Sequence, residues 1–198
     1  MWETLAGSAR VRLITEHAAV EGSTRPLGPG ERVVDLLNGP EPTVLLRVSG
    51  IWDRHETDAA SLVRAGGALR LRKEAILAAV VLEREPAAGP GRTGWRRMAA
   101  VPCWIDLGTL AMRGVAHTPP GVPLAFTLDF DQRVFLPVTA ALVSWSDSAR
   151  RDEHALVVVN RTRVRDWLML DPQPALPGRG RPYLRPVPPR SPQGLPAA

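Results

Sequence analysis

Cysteine is almost absent from this chain: Cys103 is the single one in 198 residues. That excludes an intrachain disulfide and any zinc cluster built on cysteines. Set beside Trp104 in an apolar stretch, Cys103 itself reads as a small core residue. Aromatic residues are scarce at 5%, although six of them are Trp. Long hydrophobic runs are missing too. The longest, such as Ala75 to Leu82, is far too short to cross a bilayer as a helix. Met1-Trp2-Glu3-Thr4 opens no charged leader followed by an apolar stretch, so a reducing, cytoplasmic setting is expected.

Recognisable chemistry is equally thin. His17, His55, His117 and His154 all fall near expected turns or loops, and no two stand at ligand spacing, so no metal site is expected. There is no Gly-x-Ser-x-Gly elbow, and Pro29-Gly30-Glu31 lacks the lysine and glycine spacing of a phosphate-binding loop. Asp106, Asp129 and Asp131 stand at no spacing that calls for acid–base work. No catalytic residue, cofactor or metal ligand is assigned, and the chain is expected not to be an enzyme.

Acidic residues vanish after Asp171, where Arg179, Arg181, Arg185 and Arg190 remain. Without those four, the chain holds 21 basic and 20 acidic residues, against a formal charge of +5 for the whole. The basic excess therefore belongs to the end of the chain, whereas a duplex-binding domain carries it on the folded body. Residues 172–198 are rich in proline and are expected to be disordered.

What is present is one pattern written twice. From about Arg10 to Glu83 the sequence reads strand, strand, short helix, strand, long loop and a closing hairpin. From about Val101 to Asp171 the same order returns. Val20-Glu21-Gly22 is answered by Met112-Arg113-Gly114, Pro29-Gly30 by Pro120-Gly121, and Val44 to Val48 by Val134 to Val138. Gly22, inside the second strand, marks a bulge or sharp bend. Arg72-Lys73-Glu74 is expected to be a tight hairpin turn, and residues 144–154 a long loop. The second helix is expected to be weak, because Pro123 and Thr127 interrupt good helix formers. Short strands at regular intervals with one brief helix predict small bent barrels. The expected fold class is thus mainly β. It has two tandem small β-barrel units (1–85 and 98–171), a linker (86–97) and the Pro/Arg-rich tail (172–198). Leu13, Val20, Leu46, Val48 and Leu71 should fill the first interior, and Ile105, Met112, Leu136, Val138 and Val159 the second.

The landmarks Val20-x-Gly22 and Arg32-Val33-x-Asp35-Leu36-Leu37-Asn38 resemble an uncharacterised family of small bacterial β-rich domains, a domain of unknown function. The second copy keeps Gly114 but has no Asp-Leu-Leu-Asn. A more distant resemblance is to Sm-like barrels, through the apolar strand, basic turn and apolar strand of Val157 to Val164. Sm-like proteins bind RNA around a ring with a Gly after the Arg of that turn. Neither Arg72-Lys73 nor Arg161-Thr162 supplies it, so neither RNA binding nor the ring follows from this likeness.

Candidate contacts to another macromolecule remain. Arg96 and Arg97 beside Trp95, and Arg161 and Arg163 near Trp167, set arginines close to aromatics, a combination that stacks and clamps a single strand. Pro186, Pro189 and Arg190 form a minimal Pro-x-x-Pro element suited to an aromatic groove. The favoured expectation is a non-catalytic binding or scaffold protein with a protein partner. The alternative is Sm-like binding of RNA or a single strand, and a homo-oligomer is compatible with either.

Overall fold

The computed structural model describes residues 7–28, 30–53, 67–83, 98–146, 149 and 151–171. The expected linker and tail lie outside them, and with them Arg96, Arg97, Pro186, Pro189 and Arg190. The first half contains β1 (Ser8–Ile14), β2 (Ala18–Pro26), α1 (Val33–Asn38), β3 (Thr43–Asp53) and β4 (Ala68–Arg72). A 3-10 turn (Lys73–Ala75) and β5 (Ala78–Val81) complete it. The second half follows the same order: β6 (Ala99–Asp106), β7 (Leu110–Thr118), α2 (Leu124–Phe130), β8 (Phe135–Trp145) and β9 (Arg151–Asn160). It ends with a 3-10 turn (Arg161–Arg163) and β10 (Asp166–Met169).

The fold is mainly β, but the strands do not close into two barrels. Among the described residues they form one antiparallel sheet of ten strands in the order β10-β6-β7-β8-β9-β5-β1-β2-β3-β4. The reason is a strand that changes neighbours. β4 and β5 were expected to be the arms of a hairpin, yet they do not pair with each other. β4 pairs with β3, while β5 lies between β1 and β9. The 3-10 turn sends the chain away from β4, and β5 then joins the two halves edge to edge. β9 and β10 part in the same way, with β10 pairing only with β6.

Local sequence explains most elements. β7 alternates fully, burying Leu110, Met112, Gly114, Ala116 and Thr118, as a strand with one face on a core must. Register slips at Glu21/Gly22 and again between Arg113 and Val115, so both glycines sit at bulges. There neighbouring backbone comes close: a Cβ on Gly22 would lie 2.4 Å from the Arg47 carbonyl oxygen. Helix α1 begins where the Asp35 carboxylate accepts from the Arg32 backbone N–H at 3.0 Å, a capping-box contact. Helix α2 forms despite Pro123 because the proline takes the N-cap, outside the intrahelical ladder, where its missing N–H costs nothing. The loop expected over 144–154 is much shorter. Asp152, Glu153 and His154 belong to β9, paired with Val143, Leu142 and Ala141.

Two apolar clusters fill the interior, and neither half supplies its own alone. Val11, Leu13, Val20, Leu37, Leu46 and Val48 are joined by Phe135 and Val158 of the second half. Ile105, Met112, Leu136, Val138, Val157 and Val159 are joined by Ile14, Leu77, Ala78 and Val80 of the first. All ten residues expected inside are buried or, for Leu71, half-buried. Cys103 is fully buried in the second cluster, and desolvation pushes its thiol up to about 11. Each buried aliphatic side chain contributes roughly 1.5–3 kcal/mol, so these cross-contributions lock the halves together.

Candidate functional site

Three places combine polar groups with shape: the seam between the halves, the cleft above it, and the two outer edges of the sheet. At the seam, β5 and β9 pair Ala78 with Val159, Ala79 with Val158 and Val80 with Val157. All six are at most 1% exposed. Two asparagines fasten its ends. Asn38, at the end of α1, donates to the Phe135 carbonyl at 2.9 Å and accepts from the Phe135 N–H at 2.9 Å. Its amide thereby imitates a strand partner for the first residue of β8. Asn160 is fully buried. Its backbone N–H reaches the Leu77 carbonyl at 2.9 Å, and its side-chain amide reaches the Ile76 carbonyl at 2.9 Å. The ion pair of Arg163 with Glu16 adds a third tie.

The residue that opens each 3-10 turn serves its own helix. Lys73 Nζ donates to the carbonyls of Leu36 at 2.9 Å and Gly39 at 2.8 Å, at the C-terminal end of α1. Arg161 donates to Leu128 at 3.0 Å and Arg133 at 2.8 Å, at the end of α2. Cations there satisfy carbonyls that have no partner within the helix. Burial lowers the Lys73 pKa, against the opposing pull of Glu41.

A cleft of about 690 Å³ lies over this junction, lined by Asn38, Lys73, Asn160, Thr162, Gln132 and Phe135 among others. Its asparagines hold the two halves together and its lysine caps α1, so these groups are committed to the fold. Among the described residues no group of three or more His, Cys, Asp or Glu is gathered for a metal. No helix there is long and apolar enough to cross a membrane.

The outer edges are different. β4 and β10 end the sheet, and each leaves one side of its ladder unpaired among the described strands. Of the exposed large hydrophobic residues, Leu168 and Met169 lie on β10, and Leu45 stands opposite Arg70 of β4. Leu168 is 42% and Met169 63% exposed. Phe126 and Phe130 form a second exposed apolar pair on α2, with ring centroids 5.1 Å apart.

The anticipated contact residues are thus placed as follows. Arg161 caps a helix and Arg163 bridges the halves. Trp167 pairs with Ile105 and packs half-buried on the second cluster. The structure does not bring them together as one clamp. His117 lies in β7, its Nε2 2.8 Å from Thr139 Oγ1, rather than in a turn. Sequence reasoning missed Leu45, Leu168 and Met169. The signal available was an apolar residue on the polar phase of a strand, as in Val44-Leu45-Leu46. Comparison with family models, curated proteins and solved structures returns no match for this chain.

Proposed function

We propose that this protein is a non-catalytic binding module that engages a protein partner by strand addition at the edges of its sheet. One observation carries the reading: among the described strands the sheet ends at β4 and β10, each with one side of its ladder unpaired, with Leu168 and Met169 exposed on β10 and Leu45 exposed on β3 beside β4. An open edge offers backbone N–H and C=O groups at strand spacing, and apolar side chains beside it give specificity. The corresponding order of elements in the two halves supports an origin by duplication of one small β unit, consistent with the resemblance noted from the sequence. Of the arginines expected to clamp a single strand, Arg161 and Arg163 are engaged in the fold, which weighs toward a protein rather than a nucleic-acid partner.

The test is affinity capture with the full chain and with an edge-blocked double variant, Arg70→Pro with Met169→Pro. Partners identified by mass spectrometry should be lost with the variant, and hydrogen exchange should map protection to β4 or β10. Equal capture by both proteins, with protection elsewhere, would overturn the reading. A salt-sensitive mobility shift with single-stranded oligonucleotides would favour nucleic acid instead.

A further inference from the structure

We infer that the partner recognised at these edges is a second copy of this chain, added head to tail so that β10 of one molecule pairs with β4 of the next. This rests on the edge-binding reading and goes further by naming the occupant.

The argument starts from the seam. Within the molecule, β9 of the second half meets β5 of the first. Counted from the 3-10 turns, β9 holds in its half the place that β4 holds in the other, and β5 holds the place of β10. The molecule therefore already contains one junction of this type, and the two edges at which its described strands end are the two sides of another. They are complementary rather than alike, so the contact is heterologous.

Transferring the seam register sets Asp166 opposite Leu71, Trp167 opposite Arg70 and Leu168 opposite Leu69. The Trp167 indole would face the Arg70 guanidinium, a favourable cation–π pair, and Leu168 would lie on Leu69. Leu45, beside Arg70 in the adjacent strand, would be covered with them.

The backbone directions match on both sides, with the Trp167 N–H donating to Asp166 Oδ1 at 2.8 Å, a bond that pairing would replace. Lys73 N–H donates inward to Pro42 at 2.9 Å and Val48 N–H donates to Gly67 at 3.1 Å. By the two-residue alternation of a strand, the N–H groups of Arg70 and Arg72 therefore point away from β3. Leu170 N–H donates to Pro102 at 2.9 Å, so the N–H groups of Trp167 and Met169 point away from β6. Those of their counterparts Ala79 and Val81 turn likewise toward β9, and Asn160 N–H donates to the Leu77 carbonyl across the seam.

The experiment is sedimentation velocity on the full chain, wild type and two edge variants. Arg70→Pro blocks β4 and Met169→Pro blocks β10, each removing an N–H that the molecule's own ladder does not use. Wild type should show mass rising with concentration in steps of one chain. Each variant alone should remain a monomer, and a mixture of the two should form a dimer and nothing larger. A wild type that stays monomeric at the highest soluble concentration overturns the self-pairing, while partner capture at the edges would still stand. A variant that dimerises alone overturns the head-to-tail geometry. Should a proline variant fail to fold, hydrogen exchange on wild type decides. Amides of residues 70, 72, 167 and 169 should slow at least about tenfold from dilute to concentrated protein, and unchanged rates would refute the contact.

Discussion

The seam and the outer edges are built from corresponding strands, yet they carry opposite chemistry. At the seam, Ala78, Ala79 and Val80 meet Val157, Val158 and Val159, without a charge among them. At the edges the matching positions are Asp166, Trp167 and Leu168 on one side and Leu69, Arg70 and Leu71 on the other. Small aliphatic residues make a permanent junction because both faces of the pair are buried in cores. A charge at the same place keeps an edge soluble and makes any contact there reversible. One strand arrangement thus serves as internal cement and as outward surface, and the side chains decide which.

The sharpest way to break this contrast is to give the seam an edge residue. Val158→Asp places an unpaired carboxylate between the two cores, at a position 0% exposed. It should cost about 4 kcal/mol or more, read as loss of the cooperative thermal transition in circular dichroism. Asn160→Ala should cost about 2–3 kcal/mol, because the buried carbonyls it serves lose their donor. Its edge counterpart Arg72→Ala, at a well-exposed side chain, should change stability by less than about 0.5 kcal/mol. Equal effects in urea titrations would show that the seam is not special.

Comparing the halves gives the next effect. Gly22→Ala drives a Cβ against backbone, 2.4 Å from Arg47 O, whereas Gly114→Ala first meets the Val138 side chain at 2.6 Å and then Thr139 O at 2.9 Å. Both should destabilise, Gly22→Ala by about 2 kcal/mol or more and Gly114→Ala by less, since part of its clash is with a side chain able to shift. Melting temperatures check the order. At the edge, Arg70→Val removes the guanidinium that would face Trp167, so self-association should weaken about tenfold, or 1.4 kcal/mol, by sedimentation.

The smallest effect concerns acid. The Arg133 guanidinium holds the Asp131 carboxyl below its ordinary range, and Arg25 does the same for Glu31 in the first half. A carboxyl depressed in the folded state stabilises above its unfolded value, and that contribution is lost as pH falls through the folded one. Arg133→Gln should therefore reduce stability by about 0.5 kcal/mol near neutrality and flatten the acid limb of a stability profile below the ordinary carboxylate range. An unchanged slope would remove this pair from the account.

Much of the fold was legible in the sequence because local physics dictated it. Strand patterning placed Leu13, Leu46, Met112 and Val138 inside, and Gly22 marked a bulge. The candidate site was not legible in the same way. Arg161 reads in sequence as a free surface arginine, and only the return of α2 beneath it makes it a cap. Asn38 carried a family likeness, but its partner Phe135 lies 97 residues away.

From the sequence alone came strand periods, turn positions, two matching halves and a core list, all set by neighbours within a few residues. Tertiary structure alone decided that β4 and β5 part company, that β5 meets β9, and that β4 and β10 end the sheet among the described strands. Such pairings join segments whose separation no local periodicity records, and their choice depends on which buried surfaces fit once the chain has turned back on itself.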